Sequence, residues 1–103
     1  MTQGFDIAQI DDVIHGRLRL GIMAYLSGSE GADFVSLKNA LQTSDGNLSV
    51  HLRKLEEAGF VAIAKTFERR KPLTHIRMTS QGRKAFLDYL DAIEKLLPIR
   101  DAK

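Results

Sequence analysis

The 103-residue chain contains no cysteine, which excludes a disulfide framework, a thiolate nucleophile and any thiolate metal site. Long hydrophobic runs are missing as well, and the longest apolar stretches fall far short of the roughly 20 residues a helix needs to cross a bilayer. The opening MTQGFDIAQ has no basic segment leading into an apolar core. No secretory signal is therefore read, no membrane partner is expected, and a cytoplasmic location is. Catalytic signatures are also lacking: there is no phosphate-cradling glycine loop, no H-E-x-x-H, no G-x-S-x-G and no His/carboxylate pairing at a working spacing. Neither an enzyme nor a cofactor is expected. His15, His51 and His75 are scattered along the chain, so no metal site is expected either. With no repeat, low-complexity run or linker, residues 1–103 read as a single domain.

What is present is a segregation of charge. The net charge is only +2, yet residues 46–84 carry nine bases against three acids, and the remainder six bases against ten acids. A surface at +6 beside a body at −4 points to a polyanionic partner.

The segment FDIAQIDDVIHGRLRLGIMAYLSGSEG reads as helical, with Asp6 as N-cap and Gln9 in the reciprocal slot. Leu18, Ile22, Tyr25 and Leu26 mark a core face, although Gly16 and Gly21 weigh against one continuous helix. Phe34 and Val35 are expected in a very short strand, with Ser36 capping a helix that bears Leu37, Ala40 and Leu41. Gln42 and Thr43 make a brief turn. Ser44 then caps a second helix, SDGNLSVHLRKLEEAGFV, with Leu48, Leu52 and Leu55 as its buried stripe and Gly59 as its stop.

FVAIAKTFERRKPLTHIRMT follows as an antiparallel hairpin with a basic tip. Thr79 or Ser80 caps a last helix that runs through Leu97 and is stopped by Pro98. This order, with a helix-turn-helix over about 36–58, a wing over about 60–78 and a last helix over about 80–97, predicts a mostly helical α+β fold. It is that of a winged helix-turn-helix with a two-stranded β-hairpin wing and flanking dimerisation helices.

The second helix of the pair carries the chemistry. Opposite its leucine stripe it presents Gly46, Asn47, Ser49, Val50, Arg53 and Lys54. Small residues let a helix approach the major groove closely. Asn47 can bond an adenine edge and Arg53 a guanine or a phosphate. Val50 suits a thymine methyl, and Lys54 lies toward the flanking backbone. Glu57 shares this face and fits only where the helix's C-terminal end lifts away from the groove. His51, beside the buried stripe, suits packing or a phosphate contact. In the wing, Arg69, Arg70 and Lys71 are expected along the phosphates or at the minor groove.

IHGRLRLGIMAYL, ADFVSLKNAL, SDGNLSVHLRKLEEAGFV and RRKPLTHIRMTSQGRKAF together resemble winged-helix transcriptional regulators of MarR/ArsR-like type. The resemblance covers about residues 10–97 and is nearest to a compact subgroup with little beyond the DNA-binding domain. It implies a homodimer on a partly palindromic double-stranded operator, repression as the expected outcome, and Asn47, Ser49, Val50 and Arg53 at the recognition positions. Metal sensing is not inherited, because the relatives that sense metals use cysteine or clustered histidine. A small-molecule effector is left open, since the chain is too short for all the helices that line the longer relatives' pocket.

The last helix supports the dimer independently. Phe86, Tyr89, Leu90, Ile93, Leu96 and Leu97 form an apolar stripe wider than one small domain should leave exposed. Phe5, Ile7 and Ile10 are candidate additions. The rival reading is a winged helix that binds proteins, for which the second helix should carry exposed large apolar anchors. It carries only Val50. RNA binding fits less well, because no aromatic stacking platform is evident.

Overall fold

The computed structural model describes residues 6–97. Asp6 caps a single 3-10 turn at Ile7–Gln9 through Ala8 N–H, and Gln9 Nε2 reaches back to its carboxylate at 3.4 Å. The chain does not continue from there as a helix. Asp11 accepts from Val13 and Ile14 N–H, and Gly16 at φ +149° breaks the path before α1 (Arg17–Ser27) begins. Gly21 sits inside α1 because a methyl there would lie 3.1 Å from Leu41 Cδ2. α1 buries Ile22, Met23 and Leu26, while Leu18 is half-buried and Tyr25 is exposed.

The short strand β1 is Ala32–Asp33, two residues before the expected position, and Phe34 and Val35 form the first turn of α2 (Phe34–Leu41). The N-cap is accordingly Asp33 rather than Ser36. Its carboxylate accepts both Ser36 N–H at 2.8 Å and Ser36 Oγ–H at 2.9 Å. A carboxylate gains two charge-assisted bonds in that geometry, which a serine hydroxyl cannot match. Those bonds hold the Asp33 pKa below its ordinary value.

Gln42 in the left-handed region ends α2, and α3 (Asp45–Glu57) starts after Ser44, whose Oγ accepts from Asn47 N–H. A Lys38–Asp45 ion pair at 2.9 Å bridges the turn. At the other end, Gly59 has φ +83°, its N–H donates to Glu56 O, and Phe60 N–H donates to Leu55 O. This is the paired closure of a Schellman motif, and Leu55 and Phe60 are both in the core, as that motif favours.

β2 (Val61–Glu68) and β3 (Lys71–Met78) form the hairpin in continuous register from Val61↔Met78 to Glu68↔Lys71. β1 adds to the base of β3 through Ala32↔Ile76 and Asp33↔His75, giving the order β1-β3-β2. β1 ends well short of Pro72, so the missing N–H of that proline costs no ladder bond. α4 (Ser80–Lys95) is capped by Thr79, whose hydroxyl accepts from Gly82 N–H at 2.9 Å and donates to Gly59 O at 2.6 Å. One side chain thereby ties the end of α3 to the start of α4. Gly82 has no room for a Cβ against the Phe60 carbonyl.

Leu37 of α2, Leu48, Leu52 and Leu55 of α3, Val61 and Ile76 of the sheet, and Phe86 and Tyr89 of α4 join the α1 residues in one core. Among the described residues no buried side-chain polar atom lacks a partner. No described helix is long and apolar enough to cross a membrane. Pro98 lies outside the described residues, which show α4 closing at Leu96.

Candidate nucleic-acid interface

Because α3 spends Leu48, Leu52 and Leu55 on the core, its opposite arc is exposed by helical geometry alone. Gly46, Asn47, Ser49, Val50, Arg53 and Lys54 all lie in the exposed class. Arg53 does not pair with Glu56 or Glu57. Among the described residues the ion pairs are Lys38–Asp45, Lys84–Asp88 and Lys95–Asp91, and none uses Arg53, Lys54, Lys65, Arg69, Arg70 or Lys71. The bases away from α3's outer face and the wing are thus partly neutralised by carboxylates, whereas the bases on them stay available to an external anion.

Two clefts flank this arc. On the wing side, Ser49, Arg53 and Glu56 of α3 face Ile63, Lys65 and Thr74 of the hairpin. Lys65 and Thr74 are directly opposite each other in the sheet, so both point to the side that looks toward α3. On the other side, Arg17 and Arg19 from the start of α1 line a cleft with Thr43, Ser44, Asn47 and His51.

The second cleft contains a defined contact. Arg19 Nε donates to Val13 O, and its Nη1 lies 3.0 Å from His51 Nδ1. A guanidinium only donates, so Nδ1 must be the acceptor and the ring proton sits on Nε2. Burial, reinforced by the positive charges of Arg19 and Lys54, pushes the His51 pKa below its ordinary value. His51 therefore packs as a neutral ring at the edge of the cleft. Among the described residues no group of three His, Cys, Asp or Glu could hold a metal ion.

The wing tip is a two-residue turn. Arg69 and Arg70 have φ +53° and +67°, as a type I′ hairpin requires of both central residues. Asparagine and glycine are usual there; two arginines are kept at some conformational cost and project from the end of the hairpin, followed by exposed Lys71.

The sequence reading missed Lys65, Thr74, Arg17 and Arg19. The signal for Lys65 was its period-2 spacing from Ile63, but only the strand register shows which face the pair shares. Arg17 and Arg19 lie some thirty residues before α3 in sequence, and only the tertiary fold brings them beside it.

The wide stripe read on α4 divides in two. Phe86 and Tyr89 are buried in the chain's own core, Tyr89 with its hydroxyl 3.0 Å from His15 Nδ1, and Ile93 packs partly against them. Half-buried Leu96 and exposed Leu90 and Leu97 are left, joined by exposed Leu87. The helix has two apolar faces, and the inner one packs into the chain's own core. Ile7 is exposed and Ile10 is half-buried; Phe5 lies outside the described residues.

The family model for a winged helix DNA-binding domain matches residues 18–97, from α1 to the end of the last helix. The chain belongs to that family. An uncharacterized protein of Methanocaldococcus jannaschii is 40% identical over 84 residues, 82% of this chain and 91% of its own length. Among solved structures, a transcriptional regulator homologue of Pyrococcus horikoshii OT3 matches with TM-score 0.86 and 26% identity over 98% of this chain and 100% of that one. MarR matches with TM-score 0.74 at 19% identity over 96% and 73%, a likeness of fold. The winged-helix regulator class read from the residues is thus the one the comparisons show, and the β2–β3 hairpin is the wing of that fold.

Proposed function

We propose that this winged-helix protein is a sequence-specific, double-stranded DNA-binding regulator that acts in the cytoplasm as a homodimer on a partly palindromic operator and represses transcription by occupying it. The observation that carries the reading is the set of unpaired cations on α3 and the wing, with Asn47 and Arg53 on one exposed arc between two clefts. Asn47 and Arg53 read base edges, Ser49 and Val50 allow close approach, and Lys54 takes the flanking phosphate. Arg17, Arg19 and Lys65 face the backbone on the two sides of the groove, and Arg69, Arg70 and Lys71 extend the contact beyond it. A second copy docks on Leu87 and Leu90 of α4 together with Leu96 and Leu97 at its C-terminal end. Two-fold symmetry then sets two recognition helices about 34–36 Å apart, one turn of DNA.

Selection from a random duplex pool, followed by fluorescence anisotropy across a salt series, tests this. The wild type enriches an inverted repeat. Arg53→Ala costs about 1–3 kcal/mol and relaxes preference at one position per half-site, whereas Lys71→Ala weakens all sequences alike and lowers the salt slope by about one unit per protomer. Failure to enrich any duplex, together with weak binding indifferent to Arg53, would sink the proposal.

A further inference from the structure

Phe67 is the only phenylalanine among the described residues that is exposed, at 77%. It lies one residue before the tip of the hairpin and is directly opposite Pro72. Alternation along β2 puts Ile63, Lys65 and Phe67 on the same face, and the register adds Ile76, Thr74 and Pro72 to it. That face passes outward from core at Ile76, through the cleft that Lys65 and Thr74 share with Arg53 and Ser49, to Phe67 and Pro72. The apolar pair therefore continues the surface that looks toward α3, about 7 Å further out along the strand.

Its surroundings define what it can meet. Lys65, Arg69, Arg70 and Lys71 lie close by in the hairpin, against the one acid Glu68, and none of the four has an ion-pair partner among the described residues. An apolar protein partner would have to strip water from these charges without offering a counter-charge. A nucleic-acid groove offers both things at once, phosphates for the cations and stacked base faces for the ring.

We infer that Phe67, backed by Pro72, is a wedge that enters the minor groove next to the major-groove half-site and parts one base step, bending the duplex. This rests on the DNA-binding reading above. Apolar side chains used in this way kink DNA by about 20–90° toward the major groove. Pro72 suits the task because its ring is rigid and its nitrogen has no proton left unsatisfied when water leaves. The two-residue Arg69–Arg70 turn keeps β2 and β3 paired out to Glu68↔Lys71, so the ring is carried on a continuous two-stranded ribbon.

The test uses a duplex enriched by the wild-type chain from a random pool, with 2-aminopurine placed at successive steps and a dye pair at its ends. Wild type brightens 2-aminopurine several-fold at one step in each half-site, outside the Arg53 contact, and shortens the end-to-end distance. Phe67→Ala, harmless to the core because the ring is exposed, binds with the same salt slope but abolishes both signals. Phe67→Leu retains part of them. A wild type that binds while every 2-aminopurine stays dark, or a Phe67→Ala protein that still brightens the same step, overturns the wedge and leaves the regulator reading intact. A chain that enriches no duplex overturns both.

Discussion

Arg69 and Arg70 occupy positions where the backbone prefers asparagine and glycine, and that preference can be set against function. An L-residue in the left-handed region costs about 1–2 kcal/mol, partly offset in any exchange because glycine loses more chain entropy on folding. Replacing the pair by Asn-Gly should raise stability by about 1 kcal/mol, or about 4–8 °C in Tm for a chain of this size. The same protein should lose about two units of salt slope per protomer in DNA binding. Calorimetry and anisotropy on one preparation check both, and an unchanged salt slope would remove the arginines from the interface.

His51 yields a pH prediction of definite sign. Its folded pKa lies below the ordinary 6.5 because burial and the charges of Arg19 and Lys54 disfavour the cation. On acidification the unfolded chain therefore takes up this proton first. Stability falls as pH drops through about 6.5, and the loss levels off below the folded value. Urea titrations from pH 8 to pH 5 should show a smaller decline in His51→Gln than in wild type; equal declines would show that the ring is no more reluctant to charge in the fold than in the unfolded chain.

The elements meet at Thr79. Its hydroxyl is shared between the Gly82 N–H of α4 and the carbonyl of Gly59, the residue just past the cap of α3. Thr79→Val keeps the shape but removes both bonds, a cap worth about 1 kcal/mol and a part-buried carbonyl left short of a partner, at the lower end of about 1–3 kcal/mol. A loss of about 2–3 kcal/mol is expected in chemical denaturation, with Thr79→Ser near wild type. A valine variant as stable as the parent would mean that water takes over both bonds. Since α3 ends and the wing begins at Gly59–Phe60, the same lesion should also weaken DNA binding by loosening the angle between them.

Taken whole, the described chain is extended for its length. Its radius of gyration is 15.8 Å, against about 13 Å for a compact domain of 100 residues. The wing runs outward from the core to an exposed tip, and α4 with the residues just past its end carries exposed Leu87, Leu90 and Leu97, a patch of the kind that marks an association surface. Wild type should sediment at twice its 11.5 kDa. Leu90→Asp should sediment as a single chain with its helical content intact, and should no longer favour an inverted repeat over one half-site. A wild type that stays monomeric at micromolar concentration would remove the dimer from the proposal.

How much of this was legible beforehand follows the range of the forces involved. α3 is legible nearly to the residue because Ser44, Gly59 and the Leu48–Leu52–Leu55 stripe act within one helix, whereas at α4 local spacing leaves Thr79 and Ser80 both open as caps and the structure selects Thr79. The hairpin and its basic tip followed from alternation and turn composition. Where two local signals competed, only packing decided: Asp33 outbid Ser36 as a cap once β1 was pinned to His75 and Ile76 of β3, which drew Phe34 and Val35 into the helix. The fate of Phe86 and Tyr89 was likewise invisible, since periodicity shows that a side is apolar but not what covers it. Arg17, Arg19, Lys65 and Thr74 came to α3 only through the crossing of helices and the register of strands. The sequence alone determined most of the elements and which arc of α3 stays exposed, because those depend on neighbours a few residues apart. The tertiary structure decided what stands on either side of that arc, because long-range contacts have no signature in local spacing.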